Sequence, residues 1–347
     1  MSRDERARVA VIGGGANCEH EVSLASAAAI CAHLDPATYD VVPLTIGRDG
    51  CWYDGGGRPI GFTGAACVLR SCDVAFPAVH GPRGEDGTLA ALCELAGLPY
   101  VGSGVGAGAL AMDKWATKLV AEAVGVATAP ARLLTAVTAA AYDWSGPVVV
   151  KPVAAGSSRG VTLVDSPAGW EAALAAAFAL DDRVLAEDVV VGREIDVAVL
   201  AVDGFEARRW RSSHLNHRGR VVSPPLEIGG EGVFDYDAKY GGEADFTVPA
   251  LLTEAEVKGL QQAAVAVFDA LGCAGVARID FFLTGGGWVL NEVNTMPGFT
   301  EASQVPKMFA AAGLGYGELL DVLVSDALDG DFEARFAHTS TFVDRRS

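Results

Sequence analysis

The chain has 347 residues, half of them apolar and a fifth charged, and carries a formal net charge of -18. That length calls for two or three domains with filled cores, and the composition excludes a disordered chain. The negative charge repels a phosphate backbone and so argues against a nucleic-acid partner.

The seven cysteines form no C-x-x-C pair and the N-terminus lacks an apolar signal core. A reduced, cytoplasmic protein is expected. No apolar run approaches the roughly 18 residues that span a bilayer, so no membrane partner is expected. In chain order, residues 8–12 read as a buried strand entering Gly13-Gly14-Gly15, and 23–30 as a helix with Ser23 near its cap. Strands at 40–46 and 73–77 and a helix at 88–96 complete an open α/β layer. A helix at 114–124 leads to a strand at 147–152, stopped by Pro152 and followed by a glycine-serine loop. Strand 184–187 and segment 194–202 are expected to complete a mixed sheet there. Residues 205–232, rich in arginine, histidine, paired glycines and Pro224-Pro225, read as a long surface loop with an unusually basic stretch near 208–220. A helix at 253–270, a hairpin over 278–294 and a helix at 316–328 follow, then a polar tail. The expected units are 1–112, an α/β substrate domain, then 113–190 and 191–330, with 331–347 as a tail.

The hairpin concentrates hard oxygen ligands. With Gly285-Gly286-Gly287 as a three-residue loop, Thr284 faces Trp288, Asp280 faces Glu292 and Arg278 faces Asn294. Residues two apart share a face, so Asp280, Glu292 and Asn294 form a set suited to Mg²⁺ that also holds nucleotide phosphates. The loop Gly156-Ser157-Ser158-Arg159-Gly160 offers backbone amides to phosphates, and Lys151 ends the strand before it. No G-x-x-x-x-G-K-[ST] string is present, and Cys18 stands where a dinucleotide fingerprint has its third glycine, which disfavours a nicotinamide dehydrogenase. Instead, Glu19-His-Glu-Val-Ser23 can seat a small ligand at a helix N-terminus, with Glu21 binding an ammonium, or simply cap the helix. His80 and Glu85 lie on a glycine-rich loop near the carboxyl ends of the first sheet, and Phe234-Asp-Tyr-Asp-Ala-Lys-Tyr240 reads as a lid or a surface turn.

Taken in order, His20-Glu-Val-Ser23, His80-Gly-x-x-Gly-Glu-Asp-Gly87, Met112-Asp-Lys114, Lys151-Pro, Gly156-Ser-Ser158, Tyr236-Asp-Ala-Lys-Tyr240, Arg278-Ile-Asp280 and Asn291-Glu-Val-Asn-Thr-Met-Pro-Gly298 resemble the D-alanine:D-alanine ligases of the ATP-grasp superfamily. The resemblance spans nearly the whole chain. It implies an α/β fold with an open N-terminal domain and two further sheet-containing domains that hold ATP between them. It also implies formation of a D-alanyl phosphate, attacked by the amine of a second D-amino acid, for peptidoglycan precursor synthesis. By the resemblance, Lys114, Lys151 and Lys239 bind phosphates, Ser157, Ser158 and neighbouring amides cover them, and Glu187 and Glu194 hold adenine and ribose. Asp280, Glu292 and Asn294 bind two Mg²⁺ ions, with Mn²⁺ as an alternative. Glu21 binds the first ammonium and joins Ser157 and Tyr240 in a hydrogen-bonded group. Arg278 and the Gly298 amide stabilise the oxyanion; His80 lies near the first substrate, and Ser303 receives the second substrate's carboxylate. A homodimer is expected.

Tyr240 argues for peptide rather than ester formation. Gln304, where an aliphatic residue is usual, either points elsewhere or relaxes or alters the choice of second substrate, admitting one that bears a hydroxyl. Ala155 and Arg159 also depart from the family pattern and are expected to alter loop closure. Alternatives are a related ligase of specialised metabolism or antibiotic resistance, joining D-alanine to a residue such as D-serine, and a non-catalytic nucleotide- or amino-acid-binding regulator.

Overall fold

Strand β1 (Ala7–Gly14) is covered on both faces, because Val9 and Val11 pack into one apolar cluster while Ala10 and Ile12, pointing the opposite way, pack into another. The computed structural model describes residues 6–201, 216–217, 220–229 and 245–330. Gly14, at φ +83°, turns the chain out of β1; a Cβ there would lie 2.2 Å from the Ile46 carbonyl oxygen. Helix α1 (His20–His33) leads to β2 (Tyr39–Ile46), and β3 (Trp52–Asp54) returns antiparallel to it. After α2 (Gly61–Leu69), β4 (Val74–Pro77) joins the other side of β1. The order is β3-β2-β1-β4, with β2, β1 and β4 parallel. Strand order reverses between β1 and β4, so the loops at their carboxyl ends frame a crevice of the kind that receives ligands in open α/β sheets. Helix α3 (Thr88–Ala96) then runs over residues 88–96, as the sequence predicts.

Helices α4 (Val105–Met112) and α5 (Lys114–Ala123) meet at Asp113, whose carboxylate caps α5 by accepting from the Ala116 amide. Strand β5 (Ala127–Thr128) follows. A second, antiparallel sheet comprises β6 (Ala131–Thr135), trailed by the short α6 (Ala136–Ala139), then β7 (Val148–Pro152), β8 (Thr162–Val164) and β9 (Arg183–Asp188), in the order β6-β9-β7-β8. Helix α7 (Trp170–Phe178) covers it, burying Trp170 and Leu174 against Val150 and Val184.

The third sheet contains β10 (Arg193–Ala201), β11 (Asn216–His217), β12 (Arg220–Val222), β13 (Leu226–Ile228) and β14 (Phe246–Thr247). Helix α8 (Glu254–Leu271) starts in a reciprocal capping box between Thr253 and Glu256, and packs Phe268 under β15 (Gly275–Thr284) and β16 (Gly287–Asn294). Helices α9 (Gln304–Ala311) and α10 (Tyr316–Asp329) close the described fold.

Three expectations need correction. Strand β10 does not join β9 in the second sheet; it pairs with β15, and β5 pairs with β16, so residues on both sides of the second sheet belong to the third. Helix α1 begins at His20, and Ser23 lies inside it, its hydroxyl donating to the Glu19 carbonyl. The hairpin loop holds two residues, with Thr284 opposite Gly287 and Leu283 opposite Trp288. A bulge between Asp280 and Phe281 then shifts the ladder, so Asp280 still faces Glu292 and Arg278 still faces Asn294.

The first and third sheets share one core, in which Val11 and Phe76 join Leu200, Phe299 and Leu319. That shared packing holds the β1/β4 crevice against the hairpin. Among the described residues no single helix is long and apolar enough to cross a membrane.

Candidate active site

The crevice opens into a cavity of about 290 Å³, whose wall includes Glu19, Glu85, Lys114, the 155–158 loop, Arg278, Asp280, Glu292 and Asn294. Arg278 makes a bidentate pair with Asp280, Nε to Oδ1 and Nη2 to Oδ2, both at 2.7 Å. Asn294 Nδ2 donates to Asp280 Oδ2 at 3.2 Å, and Lys114 Nζ lies 3.5 Å from Glu292 while donating to the Ala155 carbonyl at 2.8 Å. Burial alone would lower the Arg278 pKa, but the Asp280 carboxylate outweighs it and holds the guanidinium well above its usual range. Among the described residues no three His, Cys, Asp or Glu side chains form a metal cluster. The set is instead two carboxylates facing each other across a ladder, plus one amide, all hard donors. Such donors suit Mg²⁺, a hard cation that prefers oxygen ligands.

Opposite the hairpin, Ser157 Oγ donates to Glu19 Oε1 at 2.7 Å. The approach is close: a Cβ on Gly156 would fall 2.2 Å from that carboxylate oxygen, so a larger residue there would push the Glu19 carboxylate aside. Ser157 and Ser158 both hold left-handed backbone, φ +53° and +51°, a strained conformation for residues with a Cβ, and both line the cavity. Asn17 fixes the other side, its Nδ2 donating to the His80 and Pro82 carbonyls and its Oδ1 accepting from the Glu19 amide. Burial raises the Glu19 pKa, opposed by the Ser157 hydrogen bond and reinforced by Glu292.

Glu21, expected to face the ligand, does not. It lies in the exposed first turn of α1 and pairs with Arg48 at 2.9 Å, a contact of small energetic worth at such exposure. Glu19, two residues earlier, takes the position instead. A helix starting at Ser23 puts the wrong acid before its N-terminus; with the true start at His20, Glu19 is the N-cap residue and turns inward.

His80 is buried, with Nδ1 2.7 Å from the Met296 carbonyl and Nε2 2.8 Å from Ser26 Oγ. A carbonyl only accepts, so Nδ1 carries the proton and Nε2 accepts from Ser26, whose oxygen accepts in turn from the Phe299 amide. Burial pushes the imidazole down to about 4, opposed by the Met296 hydrogen bond, so the ring is neutral at physiological pH. Glu85, 3.9 Å from His80, is pushed up to about 8 by burial and by the Glu19 charge.

Behind this wall, Glu187 is clasped by Lys118 at 2.8 Å and Lys151 at 2.7 Å. Burial lowers the Lys118 pKa and works against the Glu187 charge, yet the two lysines hold Glu187 below the usual carboxylate range. The group keeps one net positive charge. Lys118 belongs to no motif in the sequence, although it stands one helical turn after Lys114, the spacing that puts two side chains on one face. Glu194 sits partly buried on β10, away from the cavity wall. Gly298, Ser303 and Gln304 line the wall, and Ser303 Oγ accepts from the Thr300 amide at 3.0 Å. Gln304 does not present an unoccupied amide, since Oε1 accepts from Arg278 Nη1 and Nε2 donates to Asp196 Oδ2. Lys239 and Tyr240, like the stretch 208–215, lie outside the described residues.

Comparison with known proteins agrees with this layout. The chain matches the family model for the D-ala D-ala ligase N-terminus over residues 8–61 and 61–103, and that for the D-ala D-ala ligase C-terminus over 135–325. It is 40% identical to a D-alanine–D-alanine ligase of Corynebacterium aurimucosum, covering 94% of this chain and 99% of the relative. Among solved structures, the VanG D-Ala:D-Ser ligase of Enterococcus faecalis superposes with a TM-score of 0.77 at 32% identity, over 93% of this chain and 99% of that one. The D-alanine–D-alanine ligase of Bacillus anthracis complexed with ATP superposes with a TM-score of 0.75 at 26% identity, over 96% and 99%. With three sheets gathered about one acidic and basic cavity, and with both family models matched in order, the chain belongs to the D-alanine–D-alanine ligase family, whose fold is the ATP-grasp.

Proposed function

We propose that this protein is an ATP-dependent ligase joining two D-alanines into D-alanyl-D-alanine, with release of ADP and phosphate, for peptidoglycan precursor synthesis in the cytoplasm. The observation that carries the reading is the meeting, in one cavity, of Arg278, Asp280 and Glu292 from the hairpin with Glu19 and the Ser157 loop. One wall suits phosphoryl transfer and the other an amino acid.

In the first step a carboxylate oxygen of D-alanine attacks the γ-phosphorus of ATP, and ADP leaves. Lys114 and the amides of residues 156–158 neutralise the transferred group, while the cationic group of Lys118, Lys151 and Glu187 underlies the nucleotide side. Asp280, Glu292 and Asn294 would hold Mg²⁺, which would supply positive charge to the phosphate oxygens. Glu19 receives the ammonium of the first D-alanine, with Ser157 setting the carboxylate's orientation.

In the second step the amine of another D-alanine, its carboxylate at Ser303, attacks the acyl carbon, loses a proton and expels phosphate. A guanidinium has five N–H donors. Asp280 and Gln304 engage three of those on Arg278, which leaves two to serve with the Gly298 amide as oxyanion donors. The test is phosphate release with D-alanine, D-serine, D-lactate and L-alanine, with product masses measured. Dipeptide from D-alanine is expected; no ATP-dependent release with any of the four would defeat the reading.

A further inference from the structure

Asp196 on β10 lies directly opposite Asp280 on β15, and both are buried. Two carboxylates facing each other across a ladder repel, and the low local dielectric sharpens the conflict. Arg278 resolves it. Its own ladder partner is the small Ala198, which leaves room for the guanidinium to fold over both acids, Nε lying 2.7 Å from Asp280 and 3.5 Å from Asp196. Gln304, the first residue of α9, closes the ring: its Oε1 takes Arg278 Nη1 at 2.5 Å, and its Nε2 gives to Asp196 Oδ2 at 2.8 Å. Only this orientation of the amide works, since the reverse would set oxygen against a carboxylate and nitrogen against a guanidinium.

We propose that Asp196 and Gln304 are a positioning pair for Arg278, anchoring the guanidinium independently of Asp280 so that Asp280 is able to turn its oxygens to the metal. The inference rests on the ligase reading above. In this structure both Asp280 oxygens are engaged by Arg278, and those are the oxygens a divalent cation needs. An arginine tied to Asp280 alone would compete with the metal and lose its place once the metal won. The amide of Gln304 and the carboxylate of Asp196 supply a second tether, from another helix and another strand. The same tether commits Gln304 to the protein, so its polarity does not select a hydroxyl-bearing second substrate.

The test uses the full chain and four forms: parent, Gln304→Met, Gln304→Glu, and the double variant Asp196→Asn with Gln304→Glu. Binding of Mn²⁺ in the presence of ADP is followed by the paramagnetic resonance of free Mn²⁺, alongside kcat and KM for dipeptide synthesis. Gln304→Met removes no charge, and its kcat is expected to fall about 10-fold to 100-fold, the loss that goes with a hydrogen bond to a charged group. Its Mn²⁺ affinity falls several-fold while KM for ATP and the D-alanine to D-serine rate ratio hold. Gln304→Glu sets a third carboxylate against Asp196 and falls further. The double variant exchanges the acid and the amide. The new amide at position 196 donates to the new carboxylate at position 304, which also accepts from Arg278, so kcat and Mn²⁺ affinity recover to near the parent. Parent-like Mn²⁺ affinity in both single variants, or no recovery in the double variant, overturns the proposal. The Mn²⁺ measurement needs no turnover, so a parent that binds Mn²⁺ as described but makes no dipeptide counts against the ligase reading and leaves the positioning pair standing.

Discussion

Ser157 donates to Glu19 at 2.7 Å across 138 positions of sequence, tying the loop after β7 to the N-terminus of α1. The bond spans two separately built sheets, and it orients the carboxylate proposed to receive the first substrate's ammonium.

Glu19→Gln keeps an acceptor for Ser157 but removes the charge. It is expected to lower kcat/KM for D-alanine about 100-fold, near 3 kcal/mol for a charged hydrogen bond. Glu21→Gln, which disturbs only the exposed pair with Arg48, is expected to stay within about twofold of the parent. Steady-state kinetics of both variants decide between the two acids, and equal losses would put Glu21 back in the site.

Lys118→Met leaves Glu187 buried with one lysine in place of two. Breaking a buried pair from one side costs about 3 kcal/mol. Urea unfolding is the measurement, and a change well below 1 kcal/mol would show that Lys151 compensates alone.

His80 gives the fold an acid-side pH dependence. Its folded pKa is about 4 against 6.5 for a free histidine, so between those values the unfolded chain takes up a proton that the folded chain does not. Stability from this group is therefore present in full above 6.5 and is lost as pH falls toward 4, by up to about 3 kcal/mol. The stability advantage of the parent over His80→Gln, measured by urea unfolding, is expected to shrink by about 2 kcal/mol between about pH 7 and about pH 4.5. A constant difference would mean that the ring titrates alike in the folded and unfolded chain.

Glu292→Gln retains the hairpin ladder and removes one hard anionic ligand. Turnover is expected to vanish while the melting temperature holds, and calorimetric titration of Mg²⁺ with ADP present should show affinity at least about 10-fold weaker. Unchanged metal affinity would remove Glu292 from the ligand set.

The strands are readable from sequence because short apolar runs bounded by glycine or proline leave little choice, as in β1, β4 and β7. The facing of Asp280 and Glu292 is also readable, though by a compensation: a two-residue loop and a bulge give the pairing expected from a three-residue loop without one. What the sequence hides is non-local. Strands β9 and β10 are separated by only residues 189–192, yet they enter different sheets, because β10 finds its partner about eighty residues later in β15. Glu19 gives way to Glu21 in the sequence because a helix boundary read three residues late turns the wrong side chain inward. Asp196 offers no motif; only the cross-strand register brings it to Asp280, Arg278 and Gln304.

The central claim is that the cavity activates a carboxylate by phosphoryl transfer before an amine attacks it. D-alanine labelled with ¹⁸O in both carboxylate oxygens, turned over with unlabelled ATP in the parent protein, tests this most directly by mass measurement of the released phosphate. The account predicts phosphate carrying one labelled oxygen, left behind when the amine displaces the acyl phosphate. Unlabelled phosphate would contradict it.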